Sequence, residues 1–118
     1  MTPGIYDFPT LKRGDTFKER LFVEVARDGV LLLVTAARMQ VRDVVNQKVL
    51  LEWSTEGESI SLSGDPVPYA VTLSEKAPDV TASLPPGIHV YDLEVTLDGL
   101  GVVTVLEGKF PVSADISR

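Results

Sequence analysis

Residues 88–97 alternate without a break: His89, Tyr91, Leu93, Val95 and Leu97 fall on one side, and Asp92, Glu94 and Thr96 on the other. A period of two is the geometry of a strand, whose successive side chains point to opposite faces. One apolar face and one polar face mark a half-buried strand in an antiparallel sheet. The same pattern recurs along the chain. Leu21, Val23 and Val25 oppose Lys18, Arg20 and Glu24, with Phe22 out of phase, which predicts some cover on both faces. Ala37, Met39 and Val41 alternate with Arg38, Gln40 and Arg42. Residues 49–53, 59–63 and 69–73 supply further short strands, and 30–34 is a wholly apolar run.

Turn chemistry separates these runs. Asp28-Gly29, Glu56-Gly57-Glu58, Gly64-Asp65-Pro66 and Pro85-Pro86-Gly87 each interrupt a β pattern. Asp98-Gly99-Leu100-Gly101 closes a hairpin into residues 102–106, with 109–112 prolonging the arm. Pro111 lacks a donor, which predicts an edge or bulge there. Only residues 74–84 suggest helix: Ser74 is a candidate cap and Pro78 limits the helix to about one turn. The expected fold is therefore all-β: an antiparallel Ig-like β-sandwich of about 7–9 short strands with at most one short helical turn. The Cys…Trp…Cys signature of true immunoglobulin domains is missing, so the likeness is architectural.

At 118 residues the chain is one domain. A chain this size hides roughly two thirds of its unfolded surface, enough for a core without staples. The expected organisation is an N-terminal arm at 1–10, the sandwich at 11–113 and a C-terminal tail at 114–118. The arm carries Ile5, Tyr6 and Phe8 among Pro3, Gly4 and Pro9, too irregular for a central strand. These side chains either fold back over an open end of the sandwich or insert into a neighbouring subunit. A terminus preceding the first strand reaches outward easily, so insertion into a neighbouring subunit is expected.

Charge and composition narrow the function. Acidic residues exceed basic ones by 17 to 11, a net charge of -6, which repels phosphate backbones and argues against nucleic-acid binding. There are no cysteines, hence no disulfides, thiol nucleophiles or thiolate metal sites. Zinc needs three or four nitrogen or sulfur ligands, and His89 is the sole histidine. It lies on an apolar strand face with no nucleophile-elbow motif, as a buried or edge-capping residue would. Asp28, Asp43 and Asp65 lack the spacing of a calcium loop and read as turn residues. Asp92 and Glu94 share a strand face and read as its polar side rather than as a glycosidase pair. Arg13-Gly14-Asp15 matches an integrin-binding tripeptide but reads as a turn leading into a strand. Trp53 reads as core, with sugar stacking as the other use. The expectation is a protein that is not an enzyme, with no catalytic, cofactor-binding or metal-binding residues. The first residues show neither a basic n-region nor an apolar h-region, which predicts a protein that stays in the cytosol that makes it or leaves without a signal peptide.

Several stretches in order give a resemblance. They are Arg13-Gly14-Asp15-Thr16-Phe17, Ala37-Arg38-Met39-Gln40-Val41-Arg42, Leu51-Glu52-Trp53-Ser54-Thr55, Leu84-Pro85-Pro86-Gly87, Tyr91-Asp92-Leu93-Glu94 and Glu107-Gly108-Lys109-Phe110-Pro111-Val112. Their order and spacing cover most of the chain, from about Leu11 to Arg118, and the series resembles small β-sandwich virion proteins of tailed bacteriophages and prophages, found among tail, baseplate and fibre components. One departure is Leu33-Val34-Thr35-Ala36-Ala37, where that pattern carries a polar Leu-Thr-Gly-Tyr-Thr stretch. The resemblance implies a structural or adaptor component of a virion, most readily in the tail or baseplate. Its partners would be other virion proteins in multiple copies or a homo-oligomer, without nucleic acid or membrane insertion. It would be made in the bacterial host cytoplasm and located in the virion. The candidate partner contacts are Ile5, Tyr6, Phe8, Arg38 and Arg42. The alternative is a carbohydrate-binding β-sandwich module that recognises host surface glycans.

Overall fold

The computed structural model describes residues 3–23, 25–27, 30–63, 69–99 and 101–116. Its strands are β1 (Gly4–Ile5), β2 (Leu11–Arg13), β3 (Arg20–Val23), β4 (Ala26–Arg27), β5 (Val30–Leu31), β6 (Val34–Arg42), β7 (Val49–Ser54), β8 (Ile60–Ser63), β9 (Tyr69–Leu73), β10 (Gly87–Leu97) and β11 (Gly101–Ile116). One short helix, α1 (Pro78–Ala82), joins β9 to β10. A six-stranded sheet runs β1-β11-β10-β6-β7, with β2 on the same edge of β11 as β1. A three-stranded sheet runs β3-β9-β8, and β4-β5 form a separate small ribbon. One apolar cluster joins the inner faces of the two larger sheets, the arrangement of an antiparallel sandwich. Asp28-Gly29 and Gly64-Asp65-Pro66 lie outside the described residues.

The alternating runs fold as their period dictates. His89, Tyr91, Leu93, Val95 and Leu97 of β10 are buried, and Met39, Val41 and Trp53 lie beside them on the same face from β6 and β7. The three-stranded sheet contributes Leu21, Val23, Ile60, Val71 and Leu73 to the same core. The apolar run 30–34 divides between β5 and the start of β6, and Leu33 between them is exposed. Phe22 is 63 % exposed, so the outer face of the small sheet is uncovered where its pattern falls out of phase.

Several expectations are corrected. Pro78 does not end the helix but opens it, at a position where a helix has no use for the missing N–H. Ser74 is not its cap: the N-cap is Ala77, without a side-chain hydrogen bond. The final strand runs unbroken from Gly101 to Ile116, past the expected domain boundary at 113. Pro111 therefore sits in a strand flanked on both sides. Lys109 directs its N–H to Asp7 Oδ1 and its C=O to the Phe8 N–H, so alternation turns the Pro111 nitrogen toward the N-terminal segment as well. That segment breaks between β1 and β2 around Pro9, so the missing donor interrupts no bond to β10.

The N-terminal segment folds back onto its own chain. The N–H groups of Tyr6 and Phe8 donate to the carbonyls of Glu107 and Lys109, each at 3.0 Å. Gly108 makes this approach possible: a Cβ there would lie 2.1 Å from the Tyr6 carbonyl oxygen. Phe8 is 4 % exposed, and its ring meets those of Tyr91, Phe110 and Phe17 at centroid distances of 4.7, 5.3 and 6.0 Å. Ile5 by contrast is 71 % exposed. Truncating Phe8 therefore leaves a cavity in the core, whereas truncating Ile5 removes little. Phe8→Ala is expected to lower unfolding free energy by about 3–5 kcal/mol, and Ile5→Ala to stay within about 0.5 kcal/mol. Urea denaturation followed by Trp53 fluorescence measures both, and a Phe8→Ala protein as stable as its parent would remove Phe8 from the core.

Candidate functional site

The outer face of the large sheet is a cross-strand ladder of polar side chains. Because Ala37, Met39 and Val41 point inward, Arg38, Gln40 and Arg42 must point outward. Antiparallel register sets Arg38 opposite Glu94 and Gln40 between Asp92 and Glu52. Arg38 Nη2 donates to Glu94 Oε1 at 3.1 Å, and Arg42 Nη1 donates to Asp92 Oδ2 at 3.1 Å. Gln40, itself largely buried, donates to Glu52 and accepts from Arg42. Arg38 and Arg42, expected as partner contacts, are thus engaged by acids of their own chain. Asp92 and Glu94 form the polar side of their strand, as their spacing predicts. Beside the Arg38–Glu94 pair lies an open concavity of about 260 Å³, lined in part by Ala36, Thr96 and Val102.

The remaining motifs are built into the frame. Asp15 N–H donates to the Lys12 carbonyl at 3.1 Å, and Gly14 supplies the positive φ of 87° that this turn requires. Gly14 N–H donates to Thr81 Oγ1 at 3.1 Å, and that hydroxyl donates to the Asp15 carbonyl at 2.6 Å. Thr81 is fully buried, so the Arg13-Gly14-Asp15 turn is stapled to α1. His89 Nε2 lies 2.6 Å from the Pro85 carbonyl. A carbonyl only accepts, so this nitrogen carries the proton and the ring ties the start of β10 to the preceding corner. Trp53 is 0 % exposed and donates from Nε1 to the Ser74 carbonyl at 3.0 Å, which leaves no face for a sugar. Asp43 is a turn residue, while Asp28 and Asp65 lie outside the described residues.

The hairpin between β6 and β7 has a different character. Asp43 N–H donates to the Lys48 carbonyl and Gln47 N–H to the Asp43 carbonyl, each at 2.9 Å. Asp43 Oδ1 accepts from Val45 N–H at 2.8 Å, and Asn46 Oδ1 accepts from Lys48 N–H at 2.9 Å. Gln47 takes the left-handed conformation that closes the loop, with φ of 61°. Polar groups that would otherwise bind water or a partner are spent inside the loop. Val44 and Val45 stand outward, Val45 at 89 % exposure, with exposed Val49 at the base of the hairpin. The sequence carries a signal for this feature: two valines between turn-forming Asp43 and Asn46 have no place in a strand and no core to enter.

Of the expected contact residues, Phe8 lies in the core, Arg38 and Arg42 in the ladder, and Ile5 and Tyr6 on the surface of the arm. Tyr6 offers its carbonyl inward, where the buried Tyr91 hydroxyl donates to it. No protein-family model, curated protein or solved structure matches the chain.

Tyr91 gives this junction a pH signature. Burial raises its phenol well above the ordinary range, and nearby Tyr6 and Asp7 push in the same direction. A phenol whose folded pKa exceeds its unfolded value of about 10 stabilises the fold fully below that pH, and the contribution is lost as pH rises above it. Tyr91→Phe is expected to cost about 0.5–1.5 kcal/mol at neutral pH, from the lost hydrogen bond, and to flatten the fall in stability above about pH 10. Urea midpoints across the alkaline range test this. An equally steep fall in the variant would assign it to other groups.

Proposed function

We propose that this chain is a non-enzymatic structural or adaptor component of a tailed-phage virion, in the tail or baseplate, present in multiple copies and acting through contacts with other virion proteins. The ordered motif series of the sequence supports this reading. The observation that carries it furthest is the β6–β7 hairpin, a loop fixed by its own hydrogen bonds that presents Val44 and Val45 to the outside. Exposed apolar groups are ordinary when scattered. Here they sit together at the apex of a preordered loop, so a partner that buries them pays little to immobilise the backbone. In the polar ladder next to them both arginines are already paired within the chain, so the contact rests on apolar area rather than on an arginine.

Two measurements test the proposal. Mass spectrometry of purified particles from a host producing this chain is expected to find it in stoichiometric amounts with tail proteins, and its absence from intact particles would refute the virion assignment. Val44→Asp combined with Val45→Asp alters only exposed positions, with an expected stability change within about 0.5 kcal/mol per site. That variant is expected to fold and yet be excluded from particles. Normal incorporation would show that the hairpin is not the contact.

A further inference from the structure

Strand β3 bonds to β9 on one side, and among the described residues no strand lies against its other side. The Leu73 N–H donates to the Glu19 carbonyl at 3.1 Å, and the register continues as Arg20↔Thr72, Leu21↔Val71, Phe22↔Ala70 and Val23↔Tyr69. In an antiparallel ladder, hydrogen-bonded and non-bonded pairs alternate. Leu21 and Val23 therefore direct their backbone groups toward β9, and Arg20 and Phe22 direct theirs away. Beside those open groups, the Phe22 ring is 63 % exposed. Its in-register neighbour is Ala70, and Thr72 stands beside Arg20, so no large side chain on β9 covers either position. Sheet edges usually carry a proline, a bulge or several charges that block pairing; β3 reads Arg-Leu-Phe-Val, with Arg20 as its one charge.

We propose that β3 pairs with β3 of a second copy of this chain, antiparallel about a two-fold axis at Leu21, joining two three-stranded sheets into one continuous sheet. The strand is complementary to itself in this register. Arg20 lies opposite the second copy's Phe22, and by symmetry Phe22 lies opposite the second copy's Arg20. Each residue exchanges N–H and C=O with its counterpart, which satisfies the outward backbone groups of both copies. Each guanidinium lies beside an aromatic ring on the outer face, a favourable cation–π geometry. A parallel in-register pairing would instead set Arg20 against Arg20. The contact is isologous, so it closes at two copies and leaves no free β3 edge to propagate. It is separate from the virion reading, because it is a property of the purified chain and uses neither Val44 nor Val45.

Sedimentation equilibrium of the purified chain is expected to show the mass rising from monomer toward dimer between about 1 and 500 μM. Phe22→Pro removes the ring and an N–H that faces away from β9, and Arg20→Glu changes an exposed charge. Both are expected to stay folded by circular dichroism and to shift the dimer midpoint upward at least about tenfold, or 1.4 kcal/mol. The register has its own test, since the chain has no cysteine. Arg20→Cys mixed with Phe22→Cys under mild oxidation is expected to give the mixed disulfide in preference to either symmetric one, because directly opposed residues lie within disulfide reach. A mass that stays monomeric across that range, a dimer unaffected by folded Arg20→Glu, or no preference for the mixed disulfide would overturn the proposal.

Discussion

The space left by a missing side chain at Gly108 lets the N-terminal segment dock onto the large sheet. Gly108 lies opposite Tyr91 across β10 and β11, on the inner face of the large sheet. Any side chain there would collide with the Tyr6 carbonyl. Without one, the segment comes close enough for its N–H groups to reach Glu107 and Lys109, and for the Tyr91 hydroxyl to satisfy the Tyr6 carbonyl. Phe8 then enters a ring cluster with Phe17, Tyr91 and Phe110. The order of causes runs from backbone clearance to hydrogen bonding to burial. Burial supplies most of the stabilisation, since each ring contact adds about 0.5–1.5 kcal/mol beyond its area.

The same segment disposes of a sheet edge. β1 and β2 both run parallel to β11 and cover its outer side. Proline appears in both partners near the break between them, Pro9 in the segment and Pro111 in β11. Each proline lacks a donor, and the two shortfalls fall together where the pairing lapses. Clustering them costs less than placing either inside a continuous ladder, where a partner carbonyl would go unsatisfied. Tertiary context thus turns two apparent strand breakers into a single interruption.

Period two made β6, β9 and β10 legible, together with the inward position of Trp53 and the outward polar face of Arg38, Gln40 and Arg42. These are local properties, since alternation reports which face is wet whatever the strand pairs with. The arm 102–112 of β11 was legible, but its run on to Ile116 was not, and the tolerance of Gly108 and Pro111 within it depends on a segment about a hundred residues away in sequence. The fate of Phe8 was hidden for the same reason: a parallel pairing between the two ends of the chain leaves no local pattern. The helix was legible as an event but not in register, because Pro78 serves equally as a stop or as a first residue. In the candidate site, Arg38 and Arg42 were visible as a shared face. Their engagement by Glu94 and Asp92 follows only once β6 is known to lie beside β10.

What the fold leaves unsatisfied follows from which edges and faces it closes. Across the outer face of the large sheet Arg38 pairs with Glu94 and Arg42 with Asp92, so strand pairing engages both arginines. The N-terminal segment closes one edge of that sheet. Among the described residues the small sheet has three strands and no such segment, so Arg20 and Phe22 keep open backbone groups. At the β6–β7 hairpin the backbone is satisfied and the apolar side chains are not. The two surfaces therefore ask for different things: β3 offers directional hydrogen bonds that fix a register, while the hairpin offers apolar area that any well-shaped socket can bury. A directional edge suits pairing between identical chains, where symmetry repeats each bond. An apolar knob suits a different protein, because it imposes no symmetry on what receives it.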